Sequence, residues 1–211
     1  MTDNRATAAM IGGITLLERA INYTLGSLVI VTPEDFAHPT PCAGWDLRAL
    51  LDHMNDSLLA LNEAVDIGRV DLDVSADDWL RTRDPVATLR SRARKLLGAW
   101  TNADLHQAIS IAGCPVTMGL VTGTGAIEVA VHGWDVAQAC GRDRPIPPSL
   151  AEEMLDLSPL FVTEADRPVR FAARVDVPPL AAPGDRLLAF LGRDPYHAVP
   201  DDAVSGLAQP A

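Results

Sequence analysis

The stretch AIEVAVHGWDVAQACG, residues 126–141, consists mostly of small and apolar residues but contains Glu128, His132 and Asp135. A step of four residues is close to one helical turn, so Glu128 and His132 would share one face of a helix, with Asp135 beside them. Polar side chains on a buried helix need partners, because burying them alone is costly. The stretch therefore predicts a buried helix whose polar groups serve either a hydrogen-bond network or a metal ion.

Apolar residues recur at three- and four-residue steps in three segments that precede this stretch, which predicts three more amphipathic helices. Asp46 is a good N-cap for the second of them, and Gly141 is a natural end for the fourth. Together the four predicted helices cover residues 6–30, the segment after Asp46, residues 85–100 and residues 118–140. Four helices of this length predict a mainly α-helical fold built on a four-helix bundle.

The segments between the helices are expected to be irregular. Residues 67–84 are acidic without an apolar period, and the glycine- and threonine-rich IAGCPVTMG, residues 111–119, is typical of an extended loop. From Pro145 onward prolines become frequent. We therefore predict two parts, a four-helix bundle over residues 1–145 and a small mixed α/β appendage over residues 146–211. The appendage is expected to hold a helix near 149–163, an extended segment RFAARVDVPPL and a short helix DRLLAFLG.

Composition excludes several classes of function. The 211 residues carry a formal net charge of −11, which argues against binding to nucleic acid or to an anionic membrane surface. We find no signal peptide and no convincing transmembrane segment, and the three cysteines form no CxxC pair. These features predict a cytoplasmic protein, either a monomer or a homodimer, whose partners are small molecules.

The spacing of Glu128 and His132 is by itself a weak sign of a metal site. Two other pairs share it, Glu34 with His38 and His197 with Asp201, but both lie near prolines that interrupt a helix. One helix face supplies two ligands, so a third must come from another helix, and His53 lies within the second predicted helix. A hydrogen-bonded core pair and a metal site both remain open at this point.

Two segments, TPCAGWDLRALLDHM (40–54) and EVAVHGWDVAQACG (128–141), resemble the signature segments of the DinB-like helical-bundle superfamily. More specifically they resemble the branch typified by mycothiol-dependent maleylpyruvate isomerase, and DRLLAFLGRDP (185–195) is similar to the closing segment of short members. The resemblance implies that a divalent metal binds His53, Glu128 and His132 with one position open. Zinc is the expected ion, with nickel or another divalent ion as alternatives.

The same resemblance implies a function in which a small thiol, mycothiol, reacts with a small electrophile, so the protein would be a thiol-dependent transferase or isomerase. A metal-dependent hydrolase and a non-catalytic metal-binding or stress-related protein are the alternatives. Asp135 would orient an imidazole, assist proton transfer or be exposed without a role. Arg186 and Arg193 are weaker candidates for binding a carboxylate of a substrate or cofactor.

Overall fold

The helices of the structure follow the helical segments expected from the sequence. The structure is a computed structural model that describes residues 2–70, 83–100 and 109–196. Its helices are α1 (Thr2–Ser27), α2 (Leu47–Ile67), α3 (Pro85–Trp100), α4 (Met118–Ala139), α5 (Pro148–Phe161) and α6 (Pro183–Phe190). The expectation of a mainly helical bundle with a small appendage is confirmed. Most of the predicted irregular segment 67–84 lies outside the described residues.

Side-chain caps fix where the two site-bearing helices begin. The Asp46 carboxylate accepts a hydrogen bond from the Ala49 backbone N–H at 2.8 Å, and the Thr117 side chain accepts one from Leu120. Each cap satisfies a backbone donor that the first helical turn leaves free. Gly141, with a φ of 64°, follows α4 in the left-handed conformation that glycine adopts without strain. The caps expected at Asp46 and Gly141 are therefore confirmed.

Helix α4 lies at the centre of the bundle. Seventeen of its 22 residues are buried, so nearly every face of the helix meets protein. Helix α1 packs along α4 most extensively, with α2 on another side and α5 covering part of the remainder. This central position explains why the stretch 126–141 is apolar on all sides of the helix rather than along one stripe. None of the described helices combines the length and hydrophobicity required to cross a bilayer.

Gly133 allows α1 to approach α4 closely. A Cβ at this position would lie 3.1 Å from the Thr24 Cα and closer still to the Thr24 hydroxyl. The same hydroxyl donates a buried hydrogen bond of 2.7 Å to the carbonyl oxygen of Val129. The glycine thus sets the distance between the two helices next to His132.

We expect Gly133→Ala to lower the free energy of unfolding by about 1–3 kcal/mol, because the methyl group overpacks a rigid backbone contact. Chemical denaturation measures the change. Gly119→Ala, on the same helix but with nothing within 4 Å of the added Cβ, is the matched control. It should be neutral or stabilise by up to about 1 kcal/mol. Equal effects of the two substitutions would contradict this account of the α1–α4 contact.

The segment predicted as an extended loop forms part of a three-stranded sheet. Strand β1 (Arg69–Val70) pairs in parallel with β2 (Ile109–Ile111), and β2 pairs antiparallel with β3 (Cys114–Val116). Ala112 and Gly113 both have positive φ angles, of 48° and 80°, as a two-residue hairpin turn requires. Strand β1 directly follows α2, and strands β2 and β3 directly precede α4.

The described part of the appendage is helical, with an extended segment before α6. Helices α5 and α6 pack against each other, and α5 also contacts α4 and α1. The extended segment contains no strand in the described residues, although the Val175 N–H donates to the Ala189 carbonyl oxygen at 3.0 Å. The strands that the fold does contain lie before α4 instead. The division of the chain at residue 145 stays a prediction.

Candidate metal centre

Helix α2 brings His53 against α4. The His53 Nε2 lies 2.7 Å from the Glu128 Oε1, and the ring meets the edge of the His132 ring at 5.1 Å between centroids. On its other side the His53 ring lies 4.8 Å from the Trp45 ring. Contacts on both sides therefore hold the imidazole in place against α4.

Helix α4 contributes Glu128 and His132 from one face. The His132 Nε2 lies 3.3 Å from the Glu128 Oε1, and the Ser57 hydroxyl donates a 3.0 Å hydrogen bond to the same oxygen. One potential ligand atom from each of His53, Glu128 and His132 lies within 4.8 Å of the other two. The three residues named from the sequence are thus adjacent in space.

This donor set fits a divalent ion of the zinc type. Two imidazoles and one carboxylate are ligands that zinc takes at about 2.0–2.2 Å, which places ligand atoms roughly 3.4 Å apart in a tetrahedral site. The 3.3 Å between His132 and Glu128 matches that spacing, whereas the 2.7 Å between His53 and Glu128 is a hydrogen-bond distance. The set therefore suits a metal after a small separation of one pair.

The pKa values of Glu128 and His132 indicate that positive charge is favoured between them. Burial raises the pKa of Glu128, but the His132 and His53 rings outweigh it and hold the pKa well below its usual range. Burial lowers the pKa of His132, but the Glu128 carboxylate and the hydrogen bonds of the ring raise it well above its usual value. The carboxylate thus stays ionised and favours a positive charge beside it, whether a protonated imidazole or a metal ion.

Asp135 binds the other nitrogen of the His132 ring. The Asp135 side chain is fully buried, and its Oδ2 lies 2.9 Å from the His132 Nδ1. Burial raises the pKa of Asp135, but the Arg193 guanidinium and the hydrogen bonds from His132 and Arg193 lower it below its usual range. An ionised carboxylate can only accept hydrogen bonds, so the His132 Nδ1 must carry a proton and donate a hydrogen bond to Asp135. The Nε2 on the other side of the ring then faces Glu128.

Arg193, which lies just after α6, neutralises the charge of Asp135. Its Nε donates to both Asp135 oxygens at 3.0 and 3.1 Å, and its Nη2 donates to Oδ2 at 2.9 Å. The thiol of Cys42 donates to the same oxygen at 3.3 Å. Cys42, His132 and Asp135 form a second group with the spacing of metal ligands, but the guanidinium already supplies a cation there. The group around His53 is therefore the better metal site.

The structure also places the remaining residues named from the sequence. Asp135 is fully buried, which excludes the alternative that it is an exposed residue without a role. Arg193 contacts a carboxylate of the protein itself, whereas Arg186 is exposed on α6 and does not join the side chains around His132. His38 bonds the Ala139 carbonyl oxygen at 3.0 Å, away from both groups.

Three neighbours of the site were not assigned to it from the sequence: Ser57, Trp45 and Cys42. Ser57 follows His53 by one helical turn, a spacing that could have placed it beside Glu128. Trp45 is 37% exposed and lies on the His53 ring. The Cys42 thiol lies at Asp135. Trp45 and Cys42 both belong to the segment 40–54, so the family resemblance of that segment is the sequence feature that could have placed them near the site.

A protein family and two individual proteins are similar to this chain. The family model described as the mycothiol maleylpyruvate isomerase N-terminal domain matches residues 18–137, a span that contains His53, Glu128, His132 and Asp135. Two uncharacterized proteins, from two strains of Mycobacterium tuberculosis, are each 28% identical over 185 residues. The alignment covers 83% of this chain and 94% of each relative. No solved structure gives a significant match.

Proposed function

Because this chain belongs to the mycothiol maleylpyruvate isomerase N-terminal domain family, we propose that it is a metal-dependent enzyme in which a small thiol reacts with a small electrophile. The observation that carries the proposal is the meeting of His53, Glu128 and His132 from two helices, with the second nitrogen of His132 held by Asp135. A mycothiol-type thiol is the proposed co-substrate, and the reaction is a transfer or an isomerisation.

The proposed ligands are the Nε2 atoms of His53 and His132 and the carboxylate of Glu128, and the proposed ion is Zn²⁺. Bound there, a divalent ion supplies a Lewis acid that lowers the pKa of a thiol or water in its open position. Three protein ligands leave that position free, which is typical of catalytic rather than structural zinc sites.

Other side chains of the protein orient the ligands. The Asp135 carboxylate accepts a hydrogen bond from the Nδ1–H of His132, which fixes the orientation and the tautomer of the ring. Arg193 keeps this carboxylate ionised. Ser57 donates to one oxygen of Glu128 and so restricts the rotation of that carboxylate. Such preorganisation means that the ligands need little rearrangement when a cation binds.

Access to the site supports an exchangeable ligand. The His53 and Glu128 side chains are 37% and 33% exposed, whereas His132 is only 9% exposed. The inner side of the site is closed by apolar residues of α1, α2 and α3. A small molecule would therefore approach over His53 and Glu128, beside Trp45, and its reacting atom would meet a surrounding of low dielectric constant, in which charge interactions are strong.

A thiol-transfer assay with and without a chelator tests the proposed reaction. The metal-loaded protein is incubated with mycothiol, glutathione or cysteine and with a panel of small electrophiles that includes maleylpyruvate. We expect turnover that requires both a thiol and the metal. Turnover with water in place of the thiol would identify a hydrolase instead, and the absence of turnover with every thiol would overturn the proposal.

A spectroscopic experiment separates thiol binding from turnover. Co²⁺ replaces the native ion, and the visible absorption of the cobalt protein is recorded as mycothiol is added. We expect a sulfur-to-cobalt charge-transfer band, because the His53 and Glu128 side chains are 37% and 33% exposed and a small thiol can reach them. The His53→Ala variant is the control and should lose the signal. An unchanged spectrum in the intact protein would contradict direct thiol binding even if metal is bound.

A further inference from the structure

A cavity lies on a different face of α4 from the one that carries the proposed metal ligands. Its volume is about 610 Å³, and it is bounded by the end of α4, the segment 143–148 and the start of α6. Trp134 lines it, and two residues along a helix correspond to a rotation of about 200°, so Trp134 and His132 point in different directions. Cavities of roughly 300–1,000 Å³ are typical of small-molecule sites.

The charged residues that line this cavity are acidic. Asp143 and Asp185 contribute carboxylates, and none of the described residues that line the cavity is lysine or arginine. The neighbouring Arg144 is directed elsewhere, since its Nε donates to the Ser27 hydroxyl at 3.1 Å and its Nη2 to the Tyr23 carbonyl oxygen. The cavity therefore complements a positively charged ligand.

An exposed aromatic ring supplies the second element of cation recognition. Tyr196 lines the cavity and is 56% exposed, and its hydroxyl donates a 3.3 Å hydrogen bond to the Asp185 Oδ2, so ring and carboxylate stand side by side. Trp134 also lines the cavity but is only 4% exposed, so it forms part of the wall. The face of an aromatic ring attracts a cation, and an ammonium group with attached carbon atoms would therefore satisfy the carboxylates and the Tyr196 ring together.

The walls of the cavity are rigid. Five of the lining residues are prolines, whose backbone φ angles are fixed, and α6 begins within the wall. A cavity that is already formed loses little conformational entropy when a ligand binds. The shape seen here is thus one that a ligand can use without prior rearrangement.

We propose that this cavity is a binding site for a small organic cation, such as a substituted ammonium compound, separate from the metal centre. The proposal rests on the volume, the two carboxylates, the exposed ring of Tyr196 and the prolines. It does not depend on the identity of the metal or on the thiol reaction, so the two proposals fail independently.

Calorimetric titration of the metal-loaded protein with choline tests the proposal. The neutral control is 3,3-dimethyl-1-butanol, which has the same shape with carbon in place of the charged nitrogen. The titration is run in salt of about 0.15 M, which screens weak attraction to the acidic surface. We expect choline to bind with a dissociation constant in the millimolar range or below, corresponding to about 4 kcal/mol, and the neutral analogue to bind at least about fivefold more weakly.

Two substitutions locate the site. Asp185→Asn should weaken choline binding about five- to tenfold through loss of one charge, and Tyr196→Ala, at a 56% exposed side chain, should weaken it several-fold. Asp156→Asn removes the same charge from an exposed position on α5 outside the cavity and should leave binding unchanged. Absence of choline binding, equal binding of the neutral analogue, or unchanged binding in both cavity variants would overturn the proposal.

Discussion

Replacing Arg193 with alanine is expected to destabilise the protein by about 3–5 kcal/mol, because the buried carboxylate of Asp135 loses its guanidinium counter-charge. Of its charge partners the carboxylate then keeps only the His132 ring, which also faces Glu128. Asp135 is fully buried, and three hydrogen bonds of 2.9–3.1 Å join it to the guanidinium. Without Arg193 the carboxylate must either take up a proton or draw water into the bundle. Chemical denaturation of the metal-free protein measures the loss.

Arg186→Ala is the matched control, since Arg186 is an exposed arginine on α6 and should change stability by less than about 0.5 kcal/mol. Combining Arg193→Ala with Asp135→Asn should recover part of the loss, because the unpaired charge is then removed as well. A loss below about 1 kcal/mol for Arg193→Ala would mean that the ion pair contributes no more than an exposed salt bridge.

The second large effect is expected at the proposed metal centre. His53→Ala should lower the affinity for Zn²⁺ by more than about a hundredfold, because loss of a ligand exceeds the ten- to hundredfold effects of residues that only orient ligands. His132→Ala should do the same. Competition with a chromophoric chelator measures the dissociation constants. Because His53 is 37% exposed, its removal leaves little unfilled space, and the variant should stay folded.

His38→Ala is the control for this measurement, since His38 lies outside both groups of potential ligands. It should retain the affinity of the unchanged protein within about twofold. Asp135→Asn provides an intermediate case and should cost about ten- to a hundredfold, because the His132 ring loses the partner of its Nδ1. Intact zinc affinity in His53→Ala would show that the metal binds elsewhere, with the second group around Cys42 as the next site to test.

The sequence was informative about helices and about residues on one helix face. Local rules act within a few residues, so the caps at Asp46 and Gly141, the start of α2 and the bounds of α3 and α4 could be predicted from the chain. The proximity of Glu128 and His132 follows from the helical period alone. Bringing His53 to them required the packing of α2 on α4, for which the family resemblance was the guide.

The hairpin of β2 and β3 could not be predicted for a local reason. Its strands have three residues each, too few for an alternating pattern to be recognised, and its turn is Ala112–Gly113 rather than the Asn–Gly that marks such turns. The pairing of β1 with β2 is not local at all. It joins residues from either side of α3, so no short window of sequence contains both partners.

The contact between Arg193 and Asp135 escaped prediction because it depends on how the appendage packs. The sequence offered Arg193 as a side chain that could hold a carboxylate, which it does, but the carboxylate belongs to the protein. Spacing along the chain carries no information on such a pair. The position of Trp45 beside His53 is similar, since the connector before α2 must fold back to place it there.

The separation of Asp135 and Arg193 along the chain has a consequence for synthesis on the ribosome. Arg193 follows Asp135 by 58 residues, so all four bundle helices have been translated well before the guanidinium emerges. Domains generally fold from the N-terminus as they are made, and an incomplete core exposes surface to chaperones and proteases. A nascent chain that ends before Arg193 lacks the guanidinium that neutralises Asp135. Closure of the bundle around Asp135 is thus expected to follow the synthesis of Arg193, well after the helices α1–α4 have been made.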